Sequence, residues 1–198
     1  MPTDHSQGGP WKLDEHRQRF TFNYGLARFV RKTFQPESIL EFGCGPGMYC
    51  EYYAMTGVDL VHGVEPNPMD SKLFDIGENC KFFPFDITRE EIPAEIQATR
   101  YDLIMSVEVL EHIDRDYHDL VFDFFCEKST RVIVFSGARP DQKGTGHIAC
   151  RDESDWRSEF VKRGWHFDAG MTQAIRDESD RKNINHKKNL QVFLRNKP

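Results

Sequence analysis

A run of glycines following an acidic residue stands out as the part of this chain most suited to chemistry. Residues Ser38–Gly47 read S-I-L-E-F-G-C-G-P-G, with Glu41 two places before the first of Gly43, Gly45 and Gly47. Glycine permits positive φ and lets the backbone come close to a ligand. The helix expected after such a turn offers unpaired N–H groups to an anionic or polar group. The spacing is E-x-G-x-G-x-G, whereas a dinucleotide fingerprint places its third glycine one residue later, where this chain has Met48. A nucleoside carrying a carboxylate is therefore a better guest than a nicotinamide or flavin dinucleotide. Pro46 stiffens the turn into the helix. Three further acids, Glu65, Asp86 and Glu108, each follow an apolar run that reads as a strand.

These residues need a scaffold, and the hydrophobic pattern supplies one. Phe22, Leu26, Phe29 and Val30 recur at helical spacing, with Pro36 just past the end. Strand and helix signals then alternate. Strands are predicted over Ile39–Phe42, Leu60–Val64, Lys81–Phe85, Tyr101–Val107 and Arg131–Phe135. Tyr49, Tyr52 and Tyr53 mark one helix face. Tyr117, Leu120, Val121 and Phe124 mark another, with Asp114 as its N-cap. Trp156 and Phe160 sit on a helix that stops near Gly164. Two extended segments, His166–Ile175 and Asn189–Arg195, close the chain as a hairpin. Its tip carries the basic run Arg181, Lys182, His186, Lys187 and Lys188. Alternating units of this kind predict an α/β fold with a doubly wound sheet. Such sheets bind ligands beyond the carboxyl ends of their strands, so the glycine turn, Glu65, Asp86 and Glu108 are expected along one edge.

Four segments in this order resemble the class I S-adenosylmethionine-dependent methyltransferases: E-F-G-C-G-P-G at Glu41–Gly47, G-V-E-P-N-P at Gly63–Pro68, F-D-I at Phe85–Ile87 and D-L-I-M-S-V-E-V-L-E-H-I at Asp102–Ile113. The resemblance implies a Rossmann-like, seven-stranded, mostly parallel sheet with a C-terminal antiparallel hairpin. Residues 1–12 are expected to be a flexible segment and 13–198 a single methyltransferase domain. S-adenosylmethionine is the implied cofactor, held by Glu41, Gly43, Cys44, Gly45, Gly47, Glu65, Pro66, Asp86, Ile87 and Val107. Glu65 would accept both ribose hydroxyl protons. Asp86 would accept from the adenine amino group while Ile87 packs on the ring. Glu41 would orient the glycine loop or reach the methionine end, since a buried carboxylate without partners is costly.

The expected reaction is methyl transfer to oxygen or nitrogen of a small molecule. It requires an in-line nucleophile, an apolar site and good positioning, and a base helps. The candidate bases are His147 in the loop after the fifth strand, Glu108 at the end of the fourth, and His112. The segment Glu108-x-x-Glu111-His112 also gathers potential metal ligands, with His147 as a fourth. Some relatives, RNA 3′-terminal and certain quinone O-methyltransferases among them, are thought to use such a segment with a divalent cation. Most do not, and no metal is expected here.

Bulk properties narrow the alternatives. The chain has 198 residues and a net charge of −6, which argues against broad nucleic-acid binding. Its five cysteines contain no C-x-x-C pair, which reads as reduced thiols in a cytoplasmic protein. No signal-peptide core or membrane-spanning run occurs. The expected partner is a small-molecule acceptor, with the chain a monomer or homodimer. The rival readings are a metal-assisted enzyme on an RNA end or catechol-like acceptor, a non-catalytic cofactor-binding interaction protein, and a nucleotide-sugar or dinucleotide enzyme of the same architecture. The N-terminal aromatics Trp11, Phe20, Phe22 and Tyr24 are expected to pack, or to lid the pocket.

Overall fold

The computed structural model describes residues 22–67, 77–182 and 184–196; the expected flexible segment 1–12, Trp11 and Phe20 lie outside them. Seven strands form one sheet: β1 (Ser38–Phe42), β2 (Leu60–Val64), β3 (Cys80–Phe83), β4 (Tyr101–Val107), β5 (Ser129–Ser136), β6 (Trp165–Phe167) and β7 (Gln191–Arg195). Their order is β3-β2-β1-β4-β5-β7-β6. The first five run parallel, and β7 pairs antiparallel with both β5 and β6. The order reverses between β1 and β4, so ligand space is expected above that pair.

Period-two alternation sends Ile39, Leu103, Met105, Val132 and Val134 to one face and Leu40, Phe42, Ile104, Ile133 and Phe135 to the other. Helices α1 (Tyr24–Phe34) and α2 (Met48–Met55) cover the first face. Helices α3 (Ala94–Ala98), α4 (His118–Lys128) and α5 (Glu153–Lys162) cover the second. Asn23 caps α1 by accepting from Leu26 N–H at 3.0 Å. The turn Leu110–His112 and the turn Arg115–Tyr117, both 3-10, lead from β4 into α4. Asp114 caps the second of them rather than α4 itself.

Three local expectations differ from the structure. Leu120 is 46% exposed; α4 buries Val121, Phe122, Phe124 and Phe125 instead. The segment His166–Ile175 is not extended throughout. Strand β6 stops at Phe167, and α6 (Ala169–Glu178) starts because the Asp168 carboxylate accepts from Met171 N–H at 2.8 Å. The two C-terminal strands do pair antiparallel, but α6 and a short helix α7 (Ile184–Asn189) join them. The basic run expected at a hairpin tip therefore lies in the turn after α6 and along α7. Among the described residues no helix is long and apolar enough to cross a membrane.

Candidate active site

The glycine turn is tied down before any ligand is considered. Gly43 and Cys44 donate backbone N–H bonds to the Val64 carbonyl at the end of β2, at 2.8 and 3.0 Å. Gly43, Gly45 and Gly47 all take positive φ, 74°, 51° and 72°, a region that side chains disfavour. Helix α2 follows; its N-cap Gly47 has no side chain to cap it, and of its first-turn N–H groups that of Cys50 goes to the Glu41 carboxylate.

A cavity of about 350 Å³ opens over the β1–β4 boundary, within the range of small-molecule sites. Glu41, Gly43, Cys44, Gly45, Glu65, Pro66, Asp86, Ile87 and Val107 all line it, as do Glu108, His112 and His147. Gly47 does not; it caps α2.

Each acid is held differently. Glu65 is buried, and its carboxylate accepts from Gly45 N–H at 3.0 Å, Asn67 N–H at 3.1 Å and the Asn67 amide at 2.5 Å. Asp86 accepts from Thr88 N–H and hydroxyl at 2.9 and 2.7 Å, and Arg89 stands 3.6 Å from its other oxygen. It is thus also the turn aspartate of its own loop. Phe85 and Ile87 flank it as apolar walls.

Glu41 lies between Gly63 and Met105 in the sheet register and accepts from Cys50 N–H at 3.0 Å and from the Cys50 thiol at 2.9 Å. Burial pushes its pKa from an ordinary 4.5 up to about 8, against the lowering effect of the Cys50 bonds. Below pH 4.5 both folded and unfolded chains keep this proton. From 4.5 to 8 the unfolded chain loses it first, so stability falls as pH rises through that window and levels off above it. Glu41→Gln is expected to abolish this contribution. Relative to wild type, the variant should gain on the order of a few kcal/mol between pH 5 and 8, read as the denaturant midpoint at each pH. Parallel pH curves for the two proteins would refute the assignment.

The far end of the cleft holds the candidate bases. Glu108 adopts a positive φ of 55°, a strain that functional sites retain when neighbours enforce it. Its backbone N–H reaches both the carbonyl and the hydroxyl of Ser136, at 3.1 Å each. Its carboxylate accepts from the Gln142 amide at 2.5 Å and from Asn189 at 3.0 Å. Asn189 also donates to the Gln142 side-chain oxygen at 2.7 Å. His112 Nδ1 lies 3.0 Å from the Gly146 carbonyl, and His147 Nδ1 lies 3.2 Å from the Gln142 carbonyl. A carbonyl only accepts, so both rings carry their proton on Nδ1 and turn Nε2 away from these bonds. The two rings meet edge to face at 5.0 Å.

Glu111, His112 and His147 each bring one donor atom within 4.8 Å of the others. Glu111 is fully buried, and neither of its oxygens makes a hydrogen bond of normal geometry among the described residues. Burial first, then the neighbouring Glu108 charge, raises its pKa well above the usual carboxylate value. Within the segment Glu108-x-x-Glu111-His112, Glu111 and His112 gather with His147, while Glu108 is held by Gln142 and Asn189 and still stands beside Glu111.

Sequence reading missed three residues here. Asn67 follows Glu65 by two places, and the E-P-N run was its signal. Gln142 and Asn189 lie 34 and 81 residues from Glu108, and no local pattern announces either.

The model of a methyltransferase domain matches residues 13–136. A ubiquinone biosynthesis O-methyltransferase of Chelativorans sp. (strain BNC1) is 26% identical over 129 residues, which cover 65% of this chain and 48% of that protein. The chain thus matches less than half the length of this relative. Among solved structures, a TehB-like SAM-dependent methyltransferase from Corynebacterium glutamicum superposes with a TM-score of 0.62 at 18% identity, covering 93% of this chain and 98% of that one. The N-methyltransferase NodS of Bradyrhizobium japonicum WM9, in complex with S-adenosyl-L-homocysteine, gives 0.61 at 18% identity over 95% and 92%. At such identities the likeness is one of fold.

Proposed function

We propose, since the chain belongs to the methyltransferase-domain family, that it transfers a methyl group from S-adenosylmethionine to an oxygen or nitrogen of a small molecule. The observation that carries this is the cleft itself. Glu65, clamped by Gly45 and Asn67, stands in one cavity with the glycine turn, the Phe85–Ile87 walls and the Glu108–His147 end. The cofactor supplies an electrophilic methyl carbon on a sulfonium. The chain supplies the rest. Glu65 accepts from the ribose diol, and the turn amides receive the polar methionine end. Phe85 and Ile87 would give the adenine an apolar wall, and Val107 and Val109 keep the reacting end apolar. His147 takes the acceptor proton at Nε2. Glu108, fixed by Gln142 and Asn189, is the second base. The five free cysteines are in keeping with a cytoplasmic setting.

Calorimetric titration with S-adenosylhomocysteine is expected to show one-site binding that NAD does not displace. A folded protein that binds none would overturn the reading, and displacement by NAD would favour a dinucleotide enzyme.

A metal-assisted version is favoured by one observation, the buried Glu111 carboxylate that makes no hydrogen bond of normal geometry among the described residues and stands beside two imidazoles. One carboxylate and two imidazole nitrogens suit a divalent transition ion, and hydrogen bonds from Nδ1 to carbonyls orient both rings as ligands require. Its chemistry there would be Lewis acidity toward an acceptor oxygen. Manganese binding to the cofactor-loaded protein, followed by electron paramagnetic resonance and lost in Glu111→Gln, would support it. Absence of binding in wild type would leave the metal-free reaction.

A further inference from the structure

The loop after β5 and helix α7 form a thin wall with ligand space on both sides. Gln142, Lys143, His147 and Asn185 line the cleft. Arg139, Asp141, Glu153, Arg176, Lys187 and Lys188 line a second, open groove. The two sides are close. Gln142 N–H donates to the Arg139 carbonyl at 2.9 Å, closing a four-residue turn whose ends lie within about 7 Å. Arg139 on the groove is therefore one turn from Gln142, which holds Glu108.

The groove is cationic in a chain of net charge −6. Glu153 is neutralised by Arg157 at 2.8 Å and Arg176 at 3.0 Å. That leaves Arg139, Lys187 and Lys188 against Asp141 alone. Among the described residues no carboxylate pairs with Arg139, Lys188 or the cleft-side Lys143. Arg28, Arg131, Arg151, Arg157, Arg163 and Arg176 have acidic partners, and Arg31, Arg115 and Arg195 donate to backbone carbonyls. A guanidinium fork matches carboxylate or phosphate oxygens.

Resting on the methyl-transfer reading, we infer that the acceptor carries an anionic group, carboxylate or phosphate, which seats on Arg139 and Lys188. Lys143 draws the acceptor over the wall, and its reacting atom reaches His147. Regioselectivity follows from this span: the methylated atom is set by its distance from the anionic end.

The test uses the full chain saturated with S-adenosylhomocysteine and titrated in separate arms with inorganic pyrophosphate and malonate. One arm or both should bind to wild type, and the stronger arm identifies phosphate or carboxylate. In Arg139→Gln/Lys188→Gln that affinity should fall at least tenfold, while S-adenosylhomocysteine affinity stays within twofold and so reports an intact fold. No anion binding by the loaded wild type, or equal binding by the variant, overturns the inference. Failure of S-adenosylhomocysteine to bind wild type would instead overturn the methyl-transfer reading.

Discussion

Glu65→Ala is expected to weaken S-adenosylhomocysteine binding about 100-fold, equivalent to about 3 kcal/mol. Hydrogen bonds to a charged acceptor contribute about 1.5–3 kcal/mol each, and a ribose diol offers two. The loss has a second source within the protein. The same carboxylate accepts from Gly45 N–H and from Asn67, so truncation also frees Gly45 in the glycine turn, although Gly43 and Cys44 stay bonded to the Val64 carbonyl. Glu65→Gln can keep an acceptor oxygen for Gly45 only by setting its amide donor against the Asn67 donors, and it removes the charge offered to the diol, so a loss of about tenfold is expected there. Calorimetry on both variants separates the two sources. Affinity within threefold of wild type in Glu65→Ala would refute the diol role, however well the side chain is placed.

What could be read in the sequence follows the range of the interactions. The glycine turn and Glu65 were legible because the chemistry fixes local spacing: a strand end, a turn needing positive φ, and an acid at the next strand end. The strand order put Glu41, Glu65, Asp86 and Glu108 on one edge, as alternating elements imply. Asp86 was legible only in part, because its carboxylate also closes the turn to Thr88. The division of Glu108, Glu111 and His112 between two partners was not legible. It depends on a positive φ at Glu108 and on Gln142 and Asn189, which the fold brings from distant positions. The C-terminal error has a local cause. His166 and Phe167 do lie in β6, but the Asp168 cap starts α6 inside the span His166–Ile175 that was expected to stay extended. Gly43 is set apart from Gly45 by the Val109 side chain packed against it, since a Cβ on Gly45 would meet nothing within 4 Å.

A Cβ on Gly43 would stand 2.4 Å from Val109 Cγ2 and 2.7 Å from Cγ1, well inside van der Waals contact. Gly43 also holds φ at 74°, where a side chain costs about 1–2 kcal/mol. Gly43→Ala should therefore push the turn after β1 away from the loop after β4, opening the cleft between the ribose side and the reacting end. The expected loss in S-adenosylhomocysteine affinity is at least about 100-fold, from strain and overpacking together at about 3 kcal/mol or more. Thermal unfolding should remain cooperative, because both loops lie at the carboxyl edge of the sheet and the core faces are untouched. The second half of the cycle identifies the cause. Val109→Ala removes the two colliding carbons and by itself should change affinity less than fivefold. Added to Gly43→Ala, it should restore at least tenfold, a coupling of about 1.4 kcal/mol. Additive losses in the double variant would mean that φ strain alone disables the turn and that the Gly43–Val109 approach does not set the width of the cleft.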